Sequence, residues 1–454
     1  MTSFAKDSLA SFAYSISSLL IGILSSIIIA RILGPAGKGE LAILLLVPAV
    51  LLKFGNLGLG SSIIYYLGQK KYELREVAGN MLSFALGGGL SLIILFFLIY
   101  HITRTSIFVN VNPLWLLLLI LTIPLQLMIF YIQKVLIGIK KIVPYSFLSI
   151  LNLFLGFGLV LTLLFRFKLG VFGVILAAII GNIIFCAILV FYLNKISDLS
   201  FNINPELLKK FLTFGVIGQI GTVAAYLTYR SDMFMINYYK EYTSVGIYSL
   251  GVGMAELMLL FSGSIALVLY PQISSMKNDE EGSYVPLVLR NVLFWMVMGS
   301  IFLAILGRPL ILYFYGKDFL PAYGPFLILL PGVIFLSGAE ILSAYTTGRG
   351  KPQIAAWTSV SGLFLNITLN LIFIPWWGIN GAAFTSTLAY GVFFLILLFV
   401  YIKMSKEDLF EALFIRTEDI PFYLALGGKV KNRVISYFAR ECSSAGGSDG
   451  NAAR

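Results

Sequence analysis

The chain has 454 residues, 59% of them hydrophobic and only 12% charged, with a mean hydropathy of +0.93 and a formal net charge of +11. Such a composition excludes a soluble globular protein, in which about a quarter of residues are charged. The longest connections between apolar runs, Leu193 to Lys210 and Ser274 to Val285, leave no room for an aqueous catalytic domain.

Crossing a hydrocarbon core of about 30 Å takes about 20 apolar residues, and about twelve such runs follow one another here. The predicted spans are 8–30, 41–66, 80–102, 113–136, 144–165, 169–192, 211–236, 244–271, 288–313, 322–345, 353–375 and 380–402. The first follows Lys6 and is too long for a signal-peptide core, so it is expected to remain as an anchor. An even count puts both termini on one side. Lys70, Lys71, Arg75, Lys134, Lys140, Lys141, Lys195, Lys209, Lys210, Arg349 and Lys351 share that side, whereas Lys38, Arg104, Lys168 and Lys317 lie opposite. The positive-inside rule then places both ends in the cytoplasm and assigns the positive charge to topology rather than to nucleic acid. Trp376 and Trp377 fall at the outer interface, where indole rings prefer to lie. Cys186 lies in a span and Cys442 in the polar tail, so no disulfide is expected.

The sequence divides into a lobe over 1–200 and a second over 201–405. Segment 406–440, partly amphipathic and carrying Lys429, Lys431 and Arg433, is expected to lie on the cytoplasmic face of the membrane. The Ser- and Gly-rich stretch 441–454 reads as a disordered tail. The lobes repeat one another: Lys141, Pro144, Gly170 and Gly173 fall on Arg349, Pro352, Gly378 and Gly381 at one offset. More weakly, "GKGELAILLLVPAVLL" resembles "SVGIYSLGVGMAELML". Two parallel six-helix repeats related by an axis along the membrane normal bind substrate between them and alternate its access.

Charge near the bilayer centre costs about 2.5–3.5 kcal/mol per group on insertion scales, so it calls for a wet cavity or a partner. Lys53 sits mid-span, too deep to snorkel easily, and either lines a cavity or pairs with a buried carboxylate. Arg31 closes the first span and either faces the cavity or snorkels to the interface. Arg230 and Asp232 are two residues apart and so do not face each other on a helix; Arg230 is the one expected inward. Glu256 can bond Arg230 across adjoining helices or hold a proton, and Glu340 carries the same ambiguity. Were Arg31, Lys53 and Arg230 to converge, they would form an electropositive vault suited to phosphate or diphosphate. Tyr226, Tyr229, Asn56 and Gln219 nearby can contact sugar hydroxyls or simply pack helices. His101 is the single histidine, at the outer end of the third span, and no nucleophile motif, nucleotide loop or metal cluster accompanies it. A membrane-embedded enzyme is therefore disfavoured; no catalytic residue, metal ligand or cofactor is expected.

The strings "ARILGPAGKGELAI", "YRSDMFMINYYKEYTSVGIYSLGVGMAELM", "LYPQIS" and "LNITLNLIFIPWWGINGAAFTSTLAY" resemble the polysaccharide-biosynthesis flippases. These are the Wzx-like branch of the multidrug/oligosaccharidyl-lipid/polysaccharide (MOP) exporter superfamily. The likeness runs from about residue 5 to about residue 403, with the tail beyond 405 outside it. It implies an all-α polytopic membrane protein of about twelve helices, in two six-helix lobes forming a V, in a prokaryotic cytoplasmic membrane. It also implies outward translocation of an undecaprenyl-diphosphate-linked oligosaccharide, with polysaccharide polymerase and glycosyltransferases as partners. Its cationic central cavity would be formed here by Arg31, Lys53 and Arg230, with Asp232, Glu256 and Glu340 as ion-coupling or charge partners. The two additional helices of the lipid II flippases of this superfamily are absent. The alternative is a cation-coupled multidrug exporter of the same superfamily, although the sequence around Glu256 and Glu340 does not match its motifs closely.

Overall fold

Inside hydrocarbon every backbone N–H and C=O must find a partner within the protein, which leaves helices as the natural solution for this composition. The computed structural model describes residues 3–103, 111–197, 204–275, 281–405 and 413, and among them it is helical throughout, without a strand. The tail 441–454, with Cys442, and the segment 406–440 apart from Leu413 lie outside the described residues; Cys186 is a free, buried thiol.

The first lobe comprises α1 (Ser3–Gly55), α2 (Leu59–Gly68), α3 (Leu74–Thr103), α4 (Pro113–Ile120), α5 (Ile123–Gly138), α6 (Ile142–Leu161) and α7 (Gly170–Ser197). The second comprises α8 (Pro205–Tyr239), α9 (Tyr242–Glu256), α10 (Leu259–Ser275), α11 (Glu281–Leu310), α12 (Tyr323–Gly348), α13 (Pro352–Trp377) and α14 (Ile379–Ser405). Nine helices among the described residues are long and apolar enough to cross a membrane. Two further pairs, bent by 52° within α8 and by 45° between α9 and α10, raise the number to eleven if each is one span. The longest helix, Lys6–Gly55, has 50 residues, about 75 Å at 1.5 Å per residue and more than two hydrocarbon thicknesses. Gly34 breaks its helical path with φ 67° and ψ −176°, and Pro35 follows. Dividing α1 there is what a count of twelve requires. Residues 31–40, a loop on sequence grounds, thus form a helical elbow.

The second predicted span also differs from an unbroken helix. It runs through the end of α1, stops at Asn56–Gly58, where Leu57 and Gly58 have φ of 47° and 76°, and resumes as α2. Irregular backbone at this depth is tolerated where it is buried in protein or lines a cavity. The repeat is visible in the backbone: Gly170 and Gly378, each opening the last span of its lobe, have φ of 59° and 60°. Pro144 and Pro352 are not quite equivalent, because α13 begins at its proline whereas α6 begins two residues earlier, at Ile142. After α6 comes a π-helical turn at Thr162–Arg166, wider than an α turn, whereas α13 runs without one to Trp377.

Each lobe is held by apolar packing, around Tyr131, Leu127 and Ile63 in the first and Phe326, Tyr345 and Tyr401 in the second, all almost wholly buried. Leu267, Phe191 and Phe364 instead present about three quarters of their surface outward, as side chains facing lipid do. Asn204 joins the lobes: its side chain caps α8 by accepting from Glu206 and Leu207 N–H at 3.1 and 3.2 Å. Its own backbone N–H donates to Asn80 Oδ1 at 2.6 Å, and its amide to Glu76 at 2.9 Å.

Candidate functional site

The break at Asn56–Gly58 frees backbone groups that α5 and α8 satisfy. Gln219 of α8 donates to the Lys53 carbonyl and accepts from Asn56 Nδ2 at 3.4 Å, while the Tyr131 hydroxyl lies 3.4 Å from the Gly55 carbonyl it donates to. With its carbonyl so fixed, Lys53 turns its ammonium over the Tyr226 ring, 5.2 Å from the centroid. Tyr226 also interacts with Arg230, one helical turn further along α8. The Arg230 guanidinium makes a two-pronged contact with Glu256, the last residue of α9: Nη1 to Oε1 and Nη2 to Oε2, both 2.8 Å. Both side chains keep about a quarter of their surface open (26% and 27%). Lys53 of the first lobe and Arg230 of the second therefore meet around Tyr226.

Arg31 is placed elsewhere. Its guanidinium donates to the carbonyls of Phe314, at 2.8 Å, and Tyr313, in the π-helical turn Ile311–Tyr315 that ends α11. The last carbonyls of a helix lack intrahelical partners, and Arg31 satisfies two of them across the lobe boundary. No described contact links it to Lys53, Tyr226 or Arg230, so of the three expected cations only Lys53 and Arg230 share a partner. Lys38, seven residues on, donates to Ser26 Oγ at 3.1 Å and lies 5.2 and 5.6 Å from the ring centroids of Tyr315 and Phe319. The elbow of α1 thus clasps the end of α11 with two cations.

Asp232 faces away from Arg230 and is 1% exposed. It accepts hydrogen bonds from the Tyr248 hydroxyl, from Ser386 Oγ at 3.3 Å and from Met233 N–H at 2.8 Å. Ser386 in turn accepts from Asn366 at 3.2 Å, whose Oδ1 accepts from Ser231 and Asn370 at 3.1 and 2.9 Å. A buried carboxylate is thereby embedded in neutral oxygen- and amide-bearing side chains of α8, α9, α13 and α14. Glu340 of α12 accepts from Ser262 Oγ at 2.6 Å and borders a separate cavity of about 600 Å³ inside the second lobe.

A further cavity of about 540 Å³ opens beside Lys53, between α1, α2, α5, α7 and α8. Its polar lining includes Lys134, Gln126, Gln133 and Asn182, none of them singled out as a site residue from the sequence. Lys134 reads there as a loop cation, yet it lies within α5, its ammonium 5.1 Å from the Phe130 ring centroid. A signal was present: Gln126 and Gln133 are seven residues apart in an apolar run, hence on one helical face. Among the described residues no three His, Cys, Asp or Glu side chains group to hold a metal ion.

A family model described as "Polysaccharide biosynthesis protein" matches residues 28–323. The probable low-salt glycan biosynthesis flippase Agl15 of Haloferax volcanii is 25% identical over 193 residues, 42% of this chain and 40% of that protein. The capsular polysaccharide biosynthesis protein CapF of Staphylococcus aureus is 26% identical over 157 residues, 34% of this chain and 39% of that one. The chain thus spans about two fifths of the length of these curated relatives. Among solved structures, the lipid II flippase MurJ in an inward closed conformation superposes with a TM-score of 0.67 at 19% identity, covering 87% of this chain and 89% of that one. A MOP superfamily transporter from Pyrococcus furiosus gives 0.65 at 13% identity, covering 89% and 96%. At these identities the structural likeness establishes the fold of the MOP superfamily.

Proposed function

The chain belongs to the polysaccharide biosynthesis protein family, and from that premise we propose that it is a flippase for a polyprenyl-diphosphate-linked oligosaccharide, of the undecaprenyl type. The observation that carries this reading is the meeting of Lys53 and Arg230, one from each lobe, around Tyr226. A diphosphate offers Arg230 the same fork geometry that Glu256 supplies, and it can displace the carboxylate while Lys53 adds a mobile point charge. Glu256 then holds the arginine in place between substrates. The lipid tail stays in the bilayer while the glycan crosses between the lobes, and no covalent chemistry is required. Arg31 and Lys38 act as the latch of the elbow side rather than as substrate ligands.

Asp232 is the group we assign to ion coupling. The hydrogen-bond donors of this buried carboxylate are all neutral, and the nearby Arg230 is already forked on Glu256, so a bound proton or monovalent cation would relieve the cost of burying the charge. The excess of Lys and Arg in the loops on the termini's side supports both ends lying in the cytoplasm of a prokaryotic cell. Glycosyltransferases would supply the substrate there and a polymerase would consume it outside. The drug-exporter alternative is disfavoured because the cavity beside Lys53, between the first lobe and α8, is lined by two lysines and no carboxylate, a poor receptor for cationic drugs.

The test is a vesicle assay with a fluorescent polyprenyl-diphosphate oligosaccharide, its leaflet scored by an impermeant quencher. Lys53→Ala and Arg230→Ala are each expected to slow translocation about tenfold or more, the loss of one charge-assisted contact. Full rates in both variants would overturn the site.

A further inference from the structure

Away from the cavities beside Lys53 and Glu340, a pocket of about 570 Å³ gathers charge on the termini's side of the second lobe. It lies where α12 ends, α13 begins and α14 ends, and each of these ends contributes one cation to its lining. Arg349 closes α12, Lys351 stands immediately before Pro352 at the start of α13, and Lys403 lies in the last turn of α14. The rest of the lining is Tyr345, Ile354, Val400 and Met404, so the wall is mostly apolar and carries no carboxylate among the described residues. Lys351 and Lys403 are exposed, and neither forms an ion pair among the described residues.

Topology and helix dipoles account for two of the three charges. Cations are favoured on this side, and Arg349 and Lys403 also sit at helix C-termini, which carry partial negative charge. The first lobe has the same two, since Lys141 and Lys195 stand at the positions equivalent to Arg349 and Lys403. Lys351 is different. It occupies the N-terminal boundary of α13, the positive end of that helix dipole, where a cation is disfavoured. Its equivalent in the first lobe is Val143, so the third charge belongs to the second lobe alone. Three like charges around one pocket repel one another, and a bound anion offsets that repulsion. The shape of the lining selects among anions. An inorganic anion would use the charges and leave the apolar wall in water. A phospholipid matches both, its phosphate among the cations and its upper acyl carbons against Ile354, Val400 and Met404. With no carboxylate to receive an ammonium headgroup, the pocket favours a net negative lipid over a zwitterionic one.

We propose that this pocket binds an anionic phospholipid of the leaflet on the termini's side, its phosphate held by Arg349, Lys351 and Lys403. The lipid would tie together the ends of α12, α13 and α14. The pocket shares no lining residue with the cavities beside Lys53 and Glu340, and the assignment does not depend on what the protein transports.

The full-length protein in a neutral detergent would be titrated with phosphatidylglycerol and with phosphatidylcholine of the same chains, and the first bound lipid followed by native mass spectrometry. The wild type should bind phosphatidylglycerol about tenfold more tightly. Lys351→Gln combined with Lys403→Gln should cut that preference to about twofold or less, and Lys351→Arg with Lys403→Arg should keep it. Lys209→Gln with Lys210→Gln removes two exposed charges from the same side and should leave the preference unchanged. Glycerophosphoglycerol, the same headgroup without chains, should compete far less well than the lipid. Equal affinity of the wild type for the two lipids would overturn the site, as would an equal loss of preference in the Lys209 and Lys210 variant, which would assign it to the general surface field. Competition by the free headgroup as strong as by the lipid would show a phosphate site in place of a lipid site and overturn the assignment as well.

Discussion

Two parallel bonds of 2.8 Å hold Arg230 to Glu256, and with about three quarters of each side chain buried neither group can lose the other without consequence. Removing one partner leaves a half-buried charge to be hydrated or displaced, whereas removing both leaves only a gap. Arg230→Ala and Glu256→Ala should therefore each lower the melting temperature in detergent. The double variant should be less destabilised than the two single losses summed, with a coupling of about 1–3 kcal/mol. Additive losses would mean that the pair is not held. Asp232 differs because all of its hydrogen-bond partners are neutral. Tyr248→Phe takes a donor from a fully buried carboxylate and should cost about 1–3 kcal/mol. Ser91→Ala, which loses an exposed hydroxyl bonded only to the Gly87 carbonyl of its own helix, should cost little by the same thermal measurement. That ionisable residues within spans are costly is legible in a sequence, and it isolates Lys53, Arg230, Asp232, Glu256 and Glu340. Which group answers each of them is not legible. Arg31 finds its acceptors 283 residues away, on carbonyls that no side-chain pattern announces. Lys134 looks like a topological charge until α7 and α8 close a cavity around it.

At the scale of elements, apolar length and period place the spans well, because hydrocarbon leaves the backbone so few options. The breaks are legible only where glycine or proline marks them. Gly34–Pro35 is such a mark, as is the asparagine–leucine–glycine sequence at 56–58. The 45° bend between α9 and α10 falls at Leu257–Met258, with neither residue type present. The π-helical turn after α11 is marked by Pro309 before it and Gly316 after it, and it exposes the carbonyls that Arg31 takes. If the elbow of α1 is latched to this turn, cutting the latch should loosen the lobe boundary rather than either lobe. Spin labels on the exposed positions Ala36 and Lys317 would report it. Arg31→Ala combined with Lys38→Ala should broaden the distance distribution and extend it to longer separations, while the helical content by circular dichroism stays constant. An unchanged distribution would show that the two cations do not hold the elbow.

In the whole molecule, the weak similarity between "GKGELAI" and "SVGIYSL" acquires a geometric meaning. The residues it aligns, Gly39 and Gly246, touch each other: a Cβ on Gly39 would overlap the Tyr242 carbonyl, and one on Gly246 the Pro35 carbonyl. Equivalent positions of two parallel repeats meet where they approach the axis between them, and only glycine permits backbone against backbone there. The repeat could be read from the sequence, but the contact could not, since glycines are dense throughout these spans. A second close approach joins the same span to the other lobe nearer the termini's side, where Gly58 packs on Gly215 of α8. The two contacts lie toward opposite ends of the span, one at the elbow and one nearer the termini's side. Alternating access requires that one open while the other stays shut, so bulk added at either should bias the molecule in opposite directions. Gly246→Ala should wedge the elbow side open, and Gly215→Ala the termini's side. Gly58 is less suitable for this comparison because its φ of 76° adds backbone strain to any substitution. Gly22, with nothing within 4 Å of an added Cβ, provides the neutral control. The reporter is a cysteine at Thr222 of α8, which lines the cavity beside Lys53 and is exposed, labelled by an impermeant maleimide in vesicles of known orientation. Labelling should rise from the elbow face and fall from the other in Gly246→Ala, reverse in Gly215→Ala, and stay at the wild-type level in Gly22→Ala. Translocation should slow in the first two, since each state then holds too large a share of the molecules. Shifts in the same direction for both substitutions would mean that the two glycine contacts do not act as opposing gates.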